Sequence, residues 1–292
     1  MSEHNFLKTS FKNYFLKEGH AHSSVRAYLY VLNKFLVFLN RERVDPEHVR
    51  QPDILTFLKN QKNASKETKA QYLLGIKHFF RFLKAENIID RSPAEELHIR
   101  GLKKNTLYTI LQPHELHQLY ARFPEDQRKK ALLGLLIYQG LQACELPKLE
   151  TKHLNLREGT VFIPEGRRNE ARTLPLHTAQ VLDLHDYITY TRPELLKNMP
   201  IKTDQLLLGR ESLFLKNTTI SILKILREQH PHLKIRNAKH IRASVIVNQL
   251  KIHNLRQVQY FAGHRYISST EYYLQSETES LLKEIEAFHP LG

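Results

Sequence analysis

The chain has 292 residues, 44 Lys or Arg against 30 Asp or Glu, a formal net charge of +14 and one cysteine. That length holds two domains with separate cores, and the charge points to a polyanionic partner, nucleic acid ahead of an anionic membrane surface. A single cysteine excludes an internal disulfide or a cysteine-rich zinc site. No apolar run approaches membrane-spanning length and the polar start Met1-Ser2-Glu3-His4-Asn5 lacks a signal pattern, so a soluble protein in a reducing cytoplasm is expected.

Residues 1–97 read as a helical domain. Val25, Tyr28, Leu29, Leu32, Phe35, Leu36 and Leu39 fall at steps of three and four, which lays one apolar stripe along a helix. Pro52-Asp53 opens a short helix through Leu58, with proline tolerated in the first turn. Ser65-Lys66-Glu67-Thr68 caps the next helix, whose apolar face is Leu73, Ile76, Phe79, Phe80 and Leu83. Across 98–110 the period lapses in the basic stretch His98-Ile99-Arg100-Gly101-Leu102-Lys103-Lys104-Asn105, read as an interdomain linker.

Residues 111–292 form the second, mixed domain. Pro113-His114-Glu115-Leu116 starts a helix, and Ala131 to Tyr138 is apolar enough to be a buried one. Gly140 to Leu146 is expected to turn into a further helix, with Cys144 as a small buried side chain and Glu145 tying helix to loop. Thr160-Val161-Phe162-Ile163 and Arg172-Thr173-Leu174-Pro175-Leu176 read as strands of a hairpin whose tip carries Arg167 and Arg168. Helices are expected from there to the end, including Leu281 to Phe288.

The most pointed signal lies in that last part. From Gln229 to Thr270 there is no acidic residue, while seven Lys or Arg and five His occur. The run holds Lys239-His240-Ile241-Arg242 and then Gly263-His264, and Tyr273 follows nine residues after that histidine. Cations to hold a phosphodiester, next to a hydroxyl able to attack phosphorus, are what strand-cleavage chemistry needs. A solvated basic face with a surface tyrosine is the competing reading of the segment alone. His20-Ala21-His22 and His230-Pro231-His232 lack acidic or cysteine partners at ligand spacing, so no metal is expected.

At these residues the chain resembles the tyrosine recombinase family, which includes phage integrases and Xer-type recombinases. Gly140-Leu141-Gln142-Ala143-Cys144-Glu145-Leu146 is similar to the family's Gly-Leu-Arg-x-Ser-Glu-Leu, and the hairpin to its Gly-Lys-Gly-x-Lys-x-Arg-x-x-Pro-Leu. Lys239 to Arg242 resembles His-x-x-Arg, Gly263-His264 resembles Gly-His, and Ser269 to Tyr273 resembles Thr-Thr-x-x-Tyr. The helical part, ending Phe79-Phe80-Arg81-Phe82-Leu83 and Pro93-Ala94-Glu95-Glu96-Leu97, is similar to the family's core-binding domain.

The resemblance implies a mainly α protein with a small β-hairpin or sheet. A helical N-terminal core-binding domain that clamps DNA would precede a mixed α+β catalytic domain. It implies a site-specific recombinase or integrase that cuts and rejoins double-stranded DNA through a 3′-phosphotyrosyl link. It further implies that no metal or cofactor is needed and that a homotetramer would form on DNA at the nucleoid. Three catalytic positions match: Tyr273 as nucleophile (with Tyr272 adjacent), Arg242 as phosphate clamp and His264 as hydrogen-bond donor. Three depart. Gln142 stands where the family has its first arginine, and Lys239 replaces the first histidine, with His240 next door. Arg167, with Arg168 as neighbour, replaces the hairpin lysine that protonates the leaving oxygen.

Two readings of those departures follow. In one, the chain is a catalytically impaired DNA-binding accessory protein of the same fold. In the other, the charges have been rearranged: the family's three fixed cations are matched in number by Arg167, Lys239 and Arg242, and activity is retained. Conservation of the charge count beside an intact Tyr273 and Gly-His favours the second. A relaxing topoisomerase shares the tyrosine chemistry but needs no partner assembly.

Overall fold

The structure is a computed structural model that describes residues 2–102, 109–167, 169–197, 199, 202–209 and 215–274, the side chains of 2–4 and 215–216 excepted. It divides into two compact units, Met1–Lys104 and Asn105–Gly292.

In the first unit four helices surround an aromatic core: α1 (Ser2–Lys17), α2 (His22–Glu42), α3 (Gln51–Asn60) and α4 (Lys66–Ala85). The three-and-four spacing of α2 puts Val25, Leu32, Phe35, Leu36 and Leu39 inward, against Phe57 of α3 and Phe79, Phe80 and Leu83 of α4. Phe11 and Phe15 of α1 complete the core, with Phe11 set edge-on to Phe82 at 5.7 Å between centroids. Each such ring taken from water contributes roughly 1.5–3 kcal/mol before ordering costs. Helices α2 and α4 approach closely because Gly75 has no side chain; a Cβ there would lie 2.8 Å from Val31. Ser65 caps α4 by accepting from the Thr68 amide at 3.2 Å, and Asp53 accepts from the Arg50 amide at 2.8 Å at the start of α3.

The second unit opens with α5 (Pro113–Tyr120) and α6 (Gln127–Ile137), the latter buried from Ala131 through Ile137. Next come three antiparallel strands in the order β1 (Leu154–Asn155), β2 (Thr160–Ile163) and β3 (Arg172–Pro175). Val161 pairs with Leu174, both inward, while Phe162 and Thr173 face out. Then follow α7 (Thr178–Asp186), a π-helical turn at Tyr187–Thr191, α8 (Arg192–Lys197), α9 (Leu215–Gln229), α10 (Ala238–Leu250) and α11 (Leu255–Ala262). Residues 268–274 are again helical.

One expectation is corrected here. The segment after Gly140 does not enter an α-helix: it makes a turn and then only the 3-10 turn Leu146–Lys148. Pro147 has no amide hydrogen to continue a helical ladder. The two-residue strand β1 was not anticipated, being too short to show a period. Arg168, the core of the linker at 103–108 and the C-terminal helix expected at Leu281 to Phe288 lie outside the described residues. Among the described residues no helix is long and apolar enough to cross a membrane.

Candidate functional site

The site is assembled on α10, on the end of α11 and on the loop between β2 and β3. Asn237 caps α10 by accepting from the His240 amide at 3.0 Å, and one turn further in Arg242 points into the unit. Its guanidinium is held by two carbonyls: Nη1 donates to Gly140 O at 2.6 Å and Nη2 to Ala262 O at 2.7 Å.

Why glycine precedes the histidine follows from the end of α11. Gly263, at φ +67°, closes the helix in the left-handed conformation, and the His264 amide then returns to Gln259 O at 3.0 Å. That reversal carries His264 back over Arg242. A Cβ at Gly263 would also run into the Arg172 guanidinium. His264 Nε2 accepts from Arg242 Nη2 at 3.2 Å, and Nδ1 meets Thr270 Oγ1 at 2.9 Å. Burial, with Arg242 and Arg172 close by, pushes the imidazole pKa down to about 4, so the ring is neutral at physiological pH.

Tyr273 joins from the helical turn beyond. Its ring lies parallel to that of His264, centroids 5.8 Å apart and planes 8° apart, and it is near enough to Arg242 to interact with the guanidinium electrostatically. It packs on Ile246, Val258 and Ala262, whereas Tyr272 is 38% exposed. Burial pulls the Arg242 pKa below the usual guanidinium value, while the charge of Glu145 and the Tyr273 contact oppose that shift.

Beneath these groups lies a buried ion pair. Glu145 Oε1 accepts from Arg172 Nη1 at 2.8 Å and from Asn169 Nδ2 at 2.9 Å, while Oε2 accepts from the Gln142 amide at 2.7 Å. Arg242 Nη1 is 4.0 Å from the same carboxylate. Burial works to raise the Glu145 pKa; the Arg172 hydrogen bond and charge, the Gln142 amide and Arg242 outweigh it and leave the pKa lowered. The β2–β3 loop is tied to the Gly-His turn by a bridge from Asn169 to His264 and by the Glu170 amide donating to Gly263 O at 3.1 Å. An exposed Arg265–Glu170 pair at 2.8 Å adds a third tie.

Of the six residues singled out in the sequence, Arg242, His264 and Tyr273 form one contact group. Gln142 sits at its edge, half-buried, donating to Asn169 Oδ1 at 3.3 Å. Arg167 on the loop and Lys239 on the first turn of α10 are exposed, Lys239 three residues before Arg242 and so on the same helix face. His240 does not stand in for Lys239. It is buried, with Nε2 on Thr109 O at 2.6 Å and Nδ1 accepting the Arg236 amide at 3.2 Å. Cys144 is exposed rather than buried and donates to Gln142 Oε1 at 3.3 Å, because the turn faces outward where a helix had been expected.

Asn169, Arg172 and Thr270 were not singled out. Arg172 carried a usable signal: it shares the inward phase of β3 with Leu174, and a charge at an inward strand position needs a buried partner. Asn169 and Thr270 gave none, since their roles depend on which groups the fold brings to them. Among the described residues no group of three or more His, Cys, Asp or Glu is placed to hold a metal ion.

The family model for the phage integrase family matches residues 109–280, and that for the phage integrase N-terminal SAM-like domain matches residues 9–87. Among curated proteins, the chain is 28% identical to the tyrosine recombinase XerC of Roseiflexus castenholzii, over 88% of this chain and 84% of the relative. It is 24% identical to the XerC of Anoxybacillus flavithermus over 99% of each. Among solved structures, the XerH site-specific recombinase in its post-cleavage complex with a palindromic difH substrate superposes with a TM-score of 0.68. At 19% identity, covering 89% of this chain and 78% of that one, this likeness speaks for the fold.

Proposed function

The chain belongs to the phage integrase family, and on that premise we propose that it is a site-specific recombinase that cuts and rejoins double-stranded DNA with Tyr273 as nucleophile. The observation that carries the reading is the contact group itself: a tyrosine stacked on a neutral imidazole that in turn accepts from a buried guanidinium.

In the proposed reaction the Tyr273 oxygen attacks the scissile phosphorus and the bond to the 5′-oxygen breaks. A 3′-phosphotyrosyl link and a free 5′-hydroxyl result, and a 5′-hydroxyl from a second strand reverses the step. Negative charge gathers on the non-bridging oxygens, so fixed donors aimed at them contribute most of the rate. Arg242 serves as the clamp; two of its N–H groups are anchored on Gly140 and Ala262, which fixes the plane of the others. His264 accepts from Arg242 at rest. The Thr270 hydroxyl both donates and accepts, so it also allows the other tautomer, in which the Nε2–H would donate to a phosphate oxygen. Lys239 and Arg167 add charge at the rim. Gln142 supplies at most a neutral hydrogen bond where the family has a cation.

Strand exchange needs four copies around two duplexes, the assembly we assign to it on DNA, with the helical domain as the second half of the clamp. The test is trapping on a nicked suicide substrate. The wild type and Tyr272→Phe form a covalent DNA adduct, and Tyr273→Phe forms none. Absence of an adduct from the wild type, with DNA binding intact, would instead identify a non-cutting accessory protein.

A further inference from the structure

The departure at Arg167 leaves a chemical vacancy. A guanidinium does not give up a proton at neutral pH, yet the leaving 5′-oxygen must acquire one. Lys148 stands against the same loop. Its Nζ donates to Glu165 O at 3.4 Å, and so close to the Gly166 backbone that a Cβ there would lie 3.3 Å from it. Arg167 is the next residue. The ammonium is exposed, and among the described residues no carboxylate pairs with it.

Its placement is not a matter of side-chain reach alone. Lys148 closes the turn that begins at Gln142, its amide donating to Glu145 O at 2.9 Å, while the Glu145 side chain binds the Gln142 amide and Asn169. The loop folds back on itself where the Gly166 amide donates to Asn169 O at 2.9 Å, and Asn169 in turn bridges to His264. Lys148 therefore contacts the hairpin loop at Glu165 and Gly166, and the His264–Arg242–Tyr273 group is tied to the same loop at Asn169. Lys239 approaches from a different element, the first turn of α10, in phase with Arg242.

We propose that Lys148 is the catalytic group that protonates the leaving 5′-oxygen, the acid having moved from the hairpin to the turn that faces it. The assignment rests on the strand-transfer reading above. As the Tyr273 oxygen bonds to phosphorus and the bond to O5′ breaks, the Lys148 ammonium gives a proton to O5′. It recovers one from water, and the phenolic proton passes to water, so the proton count balances.

A substrate with sulfur in place of the 5′-bridging oxygen separates this role from a structural one, because a thiolate leaves without protonation. On the ordinary nicked duplex, Lys148→Ala should slow adduct formation by about 10²-fold or more, as loss of a general acid does. Lys148→Arg should stay impaired, and the sulfur substrate should return both variants close to the wild-type rate. An unchanged rate in Lys148→Ala, an equal loss on both substrates, or rescue confined to Lys239→Ala would overturn the assignment while leaving the strand-transfer reading intact. A wild type that forms no adduct with either substrate would remove that reading and this assignment with it.

Discussion

The two units bury different things. Among the described residues every buried polar or charged side chain, Glu145, Arg172, His240 and Arg242 among them, belongs to the second unit. The first unit buries Phe11, Phe15, Phe35, Phe57, Phe79 and their apolar neighbours, and keeps its ion pairs, such as Arg81 with Glu18, at the surface. An apolar core needs only shape and area. A buried guanidinium needs a carboxylate and several carbonyls, each at the right place, or the charge is stranded. The second unit has accepted that cost around Arg242, which marks the site more plainly than its exposed lysines do.

The largest effects should separate the two kinds of core. Glu145→Ala leaves Arg172 and Arg242 without their carboxylate and should cost about 3–5 kcal/mol of stability, read by urea unfolding. Phe79→Ala should cost a similar amount, about 3–5 kcal/mol, by opening a cavity in the helical unit. Only Glu145→Ala should also suppress adduct formation on DNA already bound; equal suppression by Phe79→Ala would break the comparison. Gly263→Ala comes next, about 1–3 kcal/mol for a left-handed residue. It should bring a large loss of cleavage too, because its Cβ displaces Arg172. A variant that cleaves normally would show that the Gly-His turn is not under that constraint.

Acid sharpens the contrast further. His78 in the first unit is held at about 4 by burial, with His20 and Arg81 adding to it, and His264 in the second is held at about 4 by burial with Arg242 and Arg172. Both histidines regain their ordinary value of 6.5 on unfolding. The unfolded chain then binds the proton first, so stability should fall as pH drops from about 6.5 towards 4. His78→Asn and His264→Asn should each flatten part of that slope, measured as melting temperature against pH. A flat profile in the wild type would contradict both shifts. The smallest effect is expected at Gln142→Ala, about 0.5–1.5 kcal/mol, because its side chain's contacts among the described residues are a 3.3 Å bond to Asn169 and a weak thiol bond from Cys144.

The helices of the first unit were legible because their spacing is local. Val25 to Leu39 and Leu73 to Leu83 each declare one face, and the structure buries those faces. The hairpin was legible for the same reason, and Arg242, Gly263-His264 and Tyr273 could be picked out by order and spacing. What stayed hidden depends on partners far along the chain. Arg172 meets Glu145 27 residues away, and the His240 ring turns to Thr109, 131 residues earlier. No local pattern distinguishes His240, pointing inward to a carbonyl, from a histidine facing a phosphate. Cys144 is expected to be a small buried side chain in place of the family's serine, but it lies in a turn that faces solvent. Pro147 limits the segment that follows to a 3-10 turn.

The central claim is that the buried arginine and the stacked imidazole single out one hydroxyl as the nucleophile. Digesting the trapped protein–DNA adduct and mapping the nucleotide remnant by peptide mass spectrometry tests it directly. The remnant is expected on Tyr273. A remnant on Tyr272 or on any other residue would contradict the account.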